Sequence, residues 1–160
     1  MACSLNQSVS ANDPLIAMGA ATDHNTNGWV VMRNLTSDFY LQINAAAGYP
    51  TDELQVYATG GSSSTWHNWA VSYDGSKAAS GVTFYRDQAS SATTVGADNL
   101  SGDASPAANR LYVAGDIGGA TLNGKIGQIM VFNRELTSSE MGWVTGNIML
   151  PAVSMARVFG

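Results

Sequence analysis

Apolar residues in this chain recur at every second position in short runs, and clusters of Gly, Asn, Asp and Ser break each run before it reaches helical length. A period of two buries one face of a pleated strand, whereas a helix needs apolar residues three and four apart. The pattern therefore excludes a helical bundle and predicts antiparallel strands with one face buried. Phe39, Leu41 and Ile43 alternate with Tyr40 and Gln42, and Leu54 and Val56 alternate with Gln55 and Tyr57. Further strands are predicted over 29–33, 66–73, 82–86, 111–114 and 125–132, with a link at 45–52 and a tight-turn signal at Asp74-Gly75. That many short strands in 160 residues make one all-β domain, a sandwich or a barrel. One helical signal interrupts them. Thr137-Ser138-Ser139-Glu140 has the spacing of a capping box behind Leu136, which predicts one short helical turn near 137–142.

Charged residues make up only 12% of the chain, against about 25% in ordinary soluble domains, so Ser, Thr, Asn, Gln and Gly must carry the surface. Seven Lys and Arg against twelve Asp and Glu give a net charge of -5. That balance provides no footprint for a phosphate backbone or an anionic membrane, so neither nucleic acid nor membrane is expected as a partner. The single cysteine, Cys3, makes no intrachain disulfide, and the fold must hold by packing. The first residues lack the basic and apolar segments of a secretory signal, so the chain is expected either to act where it is made or to be cut from a longer precursor.

Four ordered motifs carry a resemblance. Trp66-His67-Asn68-Trp69-Ala70-Val71-Ser72-Tyr73-Asp74-Gly75 resembles a characteristic strand and turn of the laminin-G-like, concanavalin A-like jelly rolls, and Val82-Thr83-Phe84-Tyr85-Arg86-Asp87 resembles the strand that follows it. Leu111-Tyr112-Val113-Ala114-Gly115 and the run from Leu122 through Thr137 resemble that family's closing strands. The resemblance implies a two-sheet antiparallel jelly-roll sandwich over 1–150, with Trp66, Tyr73, Phe84 and Phe132 in the core. Three departures stand out: Gln88 replaces a turn glycine, Gly127 replaces an acidic residue, and the opening strand is not evident. A missing opening strand would leave a sheet edge beside 125–132. The alternating tail 151–160 is therefore expected to add a strand there, within its own subunit or on a neighbour's sheet.

The same fold carries glycoside hydrolases, whose retaining members need two carboxylates about 5 Å apart. The only glutamates, Glu53, Glu135 and Glu140, form no strand pattern of that kind. His24 and His67 have no nucleophile motif near them, and no glycine-rich loop opens a helix, so catalysis is not expected. No cofactor is required. The resemblance does imply a calcium ion at a loop rim, for which Asp98, Asn99, Asp103 and Asp116 are the candidates, with plain solvated carboxylates as the alternative. Sugar recognition needs an aromatic ring to stack on a pyranose and planar amides or carboxylates for its hydroxyls. Tyr40, Tyr49 and Tyr57, with Gln42, Gln55 and Asp52 beside them, meet that description, and tyrosines packed across a solvated sheet are the plainer alternative. The expected role is a non-catalytic binding or assembly module, facing a glycan or protein surface and forming part of an oligomer. Two habitats fit it: a virion, as a bacteriophage decoration, fibre or tail protein, or the extracellular space, as a secreted or cell-surface glycan- or matrix-binding domain.

Overall fold

The computed structural model describes the backbone of residues 2–7 and 148 and the whole of residues 13–19, 27–33, 39–45, 50–60, 65–104, 110–115, 122 and 124–147. Among these, the strands are β1 (Ala2–Gln7), β2 (Asp13–Gly19), β3 (Gly28–Arg33), β4 (Phe39–Asn44), β5 (Glu53–Ala58) and β6 (His67–Tyr73). They continue with β7 (Val82–Arg86), β8 (Ala89–Ser90), β9 (Thr93–Asp98), β10 (Arg110–Val113) and β11 (Gly124–Met130). They pair antiparallel in a five-stranded back sheet, β11-β1-β6-β7-β8, and a six-stranded front sheet, β10-β2-β3-β4-β5-β9. The all-β sandwich expected from the alternating runs is the fold observed.

The opening strand, which the sequence did not reveal, is β1. It lies between β11, with Leu5 opposite Ile126, and β6, with Leu5 opposite His67. Its composition is poor in β-branched and aromatic residues, the usual mark of a strand, so its position rests on backbone pairing along both flanks. The edge postulated for the tail is thus occupied by the chain's own beginning; residues 151–160 themselves lie outside the described residues.

Between the sheets, Leu15, Ile16, Val31, Leu41, Leu54, Val56, Val71 and Phe84 form one buried core. Its aromatic centre is Trp69, stacked on Phe39 with centroids 4.7 Å apart, while Phe84 meets Phe39 edge-on at 5.8 Å. The core tryptophan is therefore Trp69 and not Trp66, which is half-buried just ahead of β6. Strand alternation explains the correction, since Trp69, Val71 and Tyr73 share the inward face of β6. Phe84 is fully buried, whereas Tyr73 and Phe132 are partly buried against the core.

The β7–β8 turn keeps its tight geometry without glycine. Asp87 (φ 48°) and Gln88 (φ 77°) both adopt the left-handed conformation of a type I′ hairpin, at a cost of about 1 kcal/mol for each non-glycine residue. Asp87 is pinned from three sides: its N–H donates to Asn68 O at 3.0 Å, its Oδ1 accepts from Asn68 N at 2.9 Å, and its Oδ2 lies 2.6 Å from His67 Nδ1.

Helix α1 (Ser138–Trp143) starts where the capping box places it. Thr137 Oγ1 accepts from Glu140 N at 3.3 Å, and Thr137 N donates to Glu140 Oε2 at 2.9 Å. The helix runs on into a π-helical turn (Val144–Ile148), longer than the single turn expected. Arg134 holds Glu140 in a two-pronged pair at 2.9 and 2.7 Å, which with the Thr137 amide lowers the Glu140 pKa to about 2. The segment docks on the outside of the back sheet, where Ser72 Oγ accepts from Leu136 N at 2.9 Å and Asn68 Nδ2 donates to Thr145 O at 2.9 Å. No helix among the described residues covers the front sheet.

Candidate functional site

Register along the front sheet places its outward side chains in three rows. One row runs Met32, Tyr40, Tyr57, Thr94. The next runs Tyr112, Ala17, Val30, Gln42, Gln55, Ala97. The third runs Arg110, Gly19, Gly28, Asn44, Glu53. All six residues of β4 are buried, so the expectation that Tyr40 and Gln42 face solvent is corrected. They do point away from the inter-sheet core, but Ala17, Val30, Met32 and Tyr40 form a second apolar cluster there, against which Tyr57 and Tyr112 pack. The face is accessible along its β5–β9 side, where Gln55 and Tyr57 are half-buried and Thr94 and Gly96 are exposed, and at its far edge on β10, where Tyr112 is half-buried and Arg110 exposed.

A directed series of hydrogen bonds crosses this region. Tyr57 Oη donates to Gln55 Oε1, Gln55 Nε2 donates to Gln42 Oε1 at 3.3 Å, and Gln42 Nε2 donates to Asn44 Oδ1 at 3.3 Å. Tyr40 Oη donates to Met32 Sδ, and the two tyrosine rings lie 5.3 Å apart at a 49° tilt. Gly96 makes room for the arrangement: a Cβ there would stand 2.4 Å from Tyr57 Cε2 and 2.7 Å from Gln55 Oε1. Opposite Asn44 lies Glu53, only 4% exposed, with its Oε2 buried and without a hydrogen-bond partner. Burial pushes the Glu53 carboxyl above its ordinary pKa. The result is a fixed aromatic edge and one accessible amide, Tyr57 and Gln55, backed by the buried Gln42, Asn44 and Glu53, and it is at Tyr57 and Gln55 that the strip suits hydroxyl groups.

The remaining sequence candidates serve the loops. Asp52 Oδ1 accepts from Ser101 N at 2.6 Å and Gly102 N at 3.4 Å, and the Ser101 amide above all holds its carboxyl below the usual range. Asn99 donates to Pro50 O and Thr51 O, both at 3.1 Å, and accepts from Glu53 N at 3.3 Å, so it clips the β4–β5 link to the end of β9. Asp98 Oδ1 accepts from Ala79 N at 2.8 Å, and Asp103 meets Lys77 Nζ at 3.0 Å. Among the described residues no three His, Cys, Asp or Glu side chains converge where a metal would sit. Tyr49 and Asp116 lie outside the described residues. Sequence reasoning passed over Asn44, Glu53, Gly96 and Tyr112. Alternation already puts Asn44 and Glu53 on the face of Gln42 and Gln55, but Gly96 sits in a strand whose composition hid it.

A concavity of about 450 Å³ opens between the sheets, away from this face, walled by Trp29, Leu41, Ile43, Val71, Tyr73 and Phe132, with Asp74 and Arg134 also lining it.

The sequence profile described as "Concanavalin A-like lectin/glucanases superfamily" matches residues 6–142. The chain belongs to this superfamily. The match takes in β11 and reaches into β1, the pair that closes the back sheet. No curated protein matches the chain. Among solved structures, the Ruminococcus gnavus IT-sialidase CBM40 superposes with a TM-score of 0.67 at 15% identity, covering 91% of this chain and 80% of that one. The same CBM40 bound to α2,3-sialyllactose gives 0.58 at 14% identity, covering 91% and 80%. Bound to α2,6-sialyllactose it gives 0.58 at 16%, covering 91% and 81%. These likenesses show a shared fold: a concanavalin A-like sandwich built here from its own side chains.

Proposed function

We propose that this member of the superfamily is a non-catalytic carbohydrate-binding domain that presents the β5–β9 side of its front sheet to glycans. The observation that carries the reading is the hydrogen-bonded series Tyr57–Gln55–Gln42–Asn44, which fixes an aromatic ring beside the accessible Gln55 amide, able to bond a hydroxyl. The structural likeness to sialidase CBM40 domains, themselves carbohydrate-binding modules and not catalytic ones, supports it. The half-buried Tyr57 ring supplies the stacking surface, Gln55 the directional bonds, and the buried Tyr40, Gln42 and Asn44 hold them in place. An extracellular location agrees with this role, and a virion surface would use the same face in the same way. Assembly is a further part of the proposal: β10, the outermost strand of the front sheet among the described residues, carries Leu111 and Val113 more than half exposed, an apolar surface suited to a partner chain.

The test is glycan binding by titration calorimetry on the best ligand from an array. Tyr57→Phe, which keeps the ring but removes the donor to Gln55, and Gln55→Ala should each weaken affinity about three- to ten-fold while the melting temperature stays close to that of the parent. Unchanged affinity in both variants would place the binding site elsewhere.

A further inference from the structure

We propose, resting on the glycan-binding reading, that this face selects neutral glycans and discriminates against sialylated ones. A sialylated sugar brings a carboxylate, which needs a cation or a concentration of positive dipoles where it docks. The whole chain holds seven Lys and Arg. Among the six that are described, only Arg110 shares the outer face of the front sheet. Arg33 is buried in the row of Phe39, on the inter-sheet side. Arg86 lies 5.6 Å over the Trp69 ring and donates to Gly60 O. Lys77 is tied to Asp103 at 3.0 Å and to Ser101 O at 3.1 Å, and Arg134 is held by Glu140. Lys125 belongs to β11 in the back sheet.

Arg110 itself is remote. It lies in the same row as Glu53 but four strands away, about 19 Å at ordinary strand spacing. The strip between them is closed, since Ala17, Gly19, Gly28 and Val30 are all buried. A sugar lying on Tyr57 and Gln55 therefore does not reach Arg110. It does lie beside Glu53, two residues from Gln55 on the same face and so about 7 Å away. The Glu53 Oε2 is buried and has no partner, so its charge is poorly screened, and a carboxylate docked on Gln55 meets that charge at close range where a neutral hydroxyl does not. The amides of Gln55 and Gln42 are neutral and cannot offset that repulsion.

The experiment is a glycan array carrying broad neutral glycans, including lactose and N-acetyllactosamine termini, beside the same termini capped with α2,3- or α2,6-linked sialic acid, followed by calorimetry of the best pair. Neutral glycans binding at least about ten-fold tighter than their sialylated counterparts is the expected result. In Glu53→Gln the ratio should shrink at least about three-fold with the fold intact by circular dichroism, because the repelling charge is gone. Sialylated glycans binding as tightly as neutral ones, or a ratio unmoved in Glu53→Gln, would overturn the selectivity while leaving the glycan-binding reading in place. Binding to no glycan at all would overturn that reading and the selectivity with it.

Discussion

Gly96 is the position at which the proposed site can be disturbed without removing any of its side chains. An alanine Cβ would meet Tyr57 Cε2 at 2.4 Å, Gln55 Oε1 at 2.7 Å and Tyr57 Oη at 2.9 Å. Ordinary contact begins near 3.4 Å, so the phenol ring must retreat by about 1 Å, which its side-chain torsions permit. No left-handed φ is involved, so the cost is steric alone. It amounts to about 1–2 kcal/mol of overpacking plus the Tyr57–Gln55 hydrogen bond, worth about 1 kcal/mol. Gly96→Ala should therefore fold, lose about 2 kcal/mol by urea denaturation, and bind its best glycan about ten-fold more weakly. Gly28→Ala is the contrast: its Cβ would stand 2.3 Å from the Met18 carbonyl oxygen, where only backbone can move, so it should cost more than Gly96→Ala. Full glycan affinity in a folded Gly96→Ala would show that the Tyr57 ring position does not matter to binding and would refute the assignment.

Trp69→Ala should cost about 4 kcal/mol by urea denaturation and Trp66→Ala about 1 kcal/mol; comparable losses would contradict the placing of the core tryptophan. Gln88→Gly should raise stability by about 1 kcal/mol through relief of the left-handed conformation, and a net loss would mean that the Gln88 side chain packed on Gly146 outweighs it. Glu140 has a folded pKa of about 2, below its ordinary 4.5, so the stability it adds is complete above the ordinary value and disappears as pH falls toward 2. The stability gap between parent and Glu140→Gln should be constant near neutrality and close over that acid range; a gap persisting unchanged below pH 2 would contradict it. Glu53 has the opposite sign. Its raised pKa means the folded state binds the proton more tightly, so its penalty grows as pH rises above 4.5, and Glu53→Gln should be more stable than the parent at pH 7 but not at low pH.

The strands legible in the sequence are those whose two faces differ in composition. In β5, Leu54 and Val56 against Gln55 and Tyr57 give both the strand and the orientation of its side chains. The capping box likewise located α1, because Thr137 and Glu140 act through local hydrogen bonds that a sequence displays directly. What the sequence hid depends on neighbours distant along the chain. Strand β1 has no β-branched or aromatic residue and is held between β6 and β11, far apart in sequence. Strand β9 is mostly exposed and interrupted by Gly96, so its character comes from pairing with β5, where its register shifts. Alternation gives Tyr40 its face but not its depth, since its burial belongs to a cluster with Ala17, Val30 and Met32 from two other strands. Of the candidate site, Gln42, Gln55 and Tyr57 could be read from alternation. Asn44 and Glu53 lay on the same alternation and gained meaning only once Glu53 Oε2 was seen to be buried and unpaired.

Which surface holds the sugar is decided by chemical-shift mapping of the isotopically labelled protein. Titration with the best neutral glycan should perturb the amides of β5 and β9 and the side-chain amide of Gln55, leaving Trp29, Tyr73 and Phe132 at the inter-sheet cavity unmoved. Perturbations centred on that cavity, with β5 and β9 unchanged, would contradict the central claim.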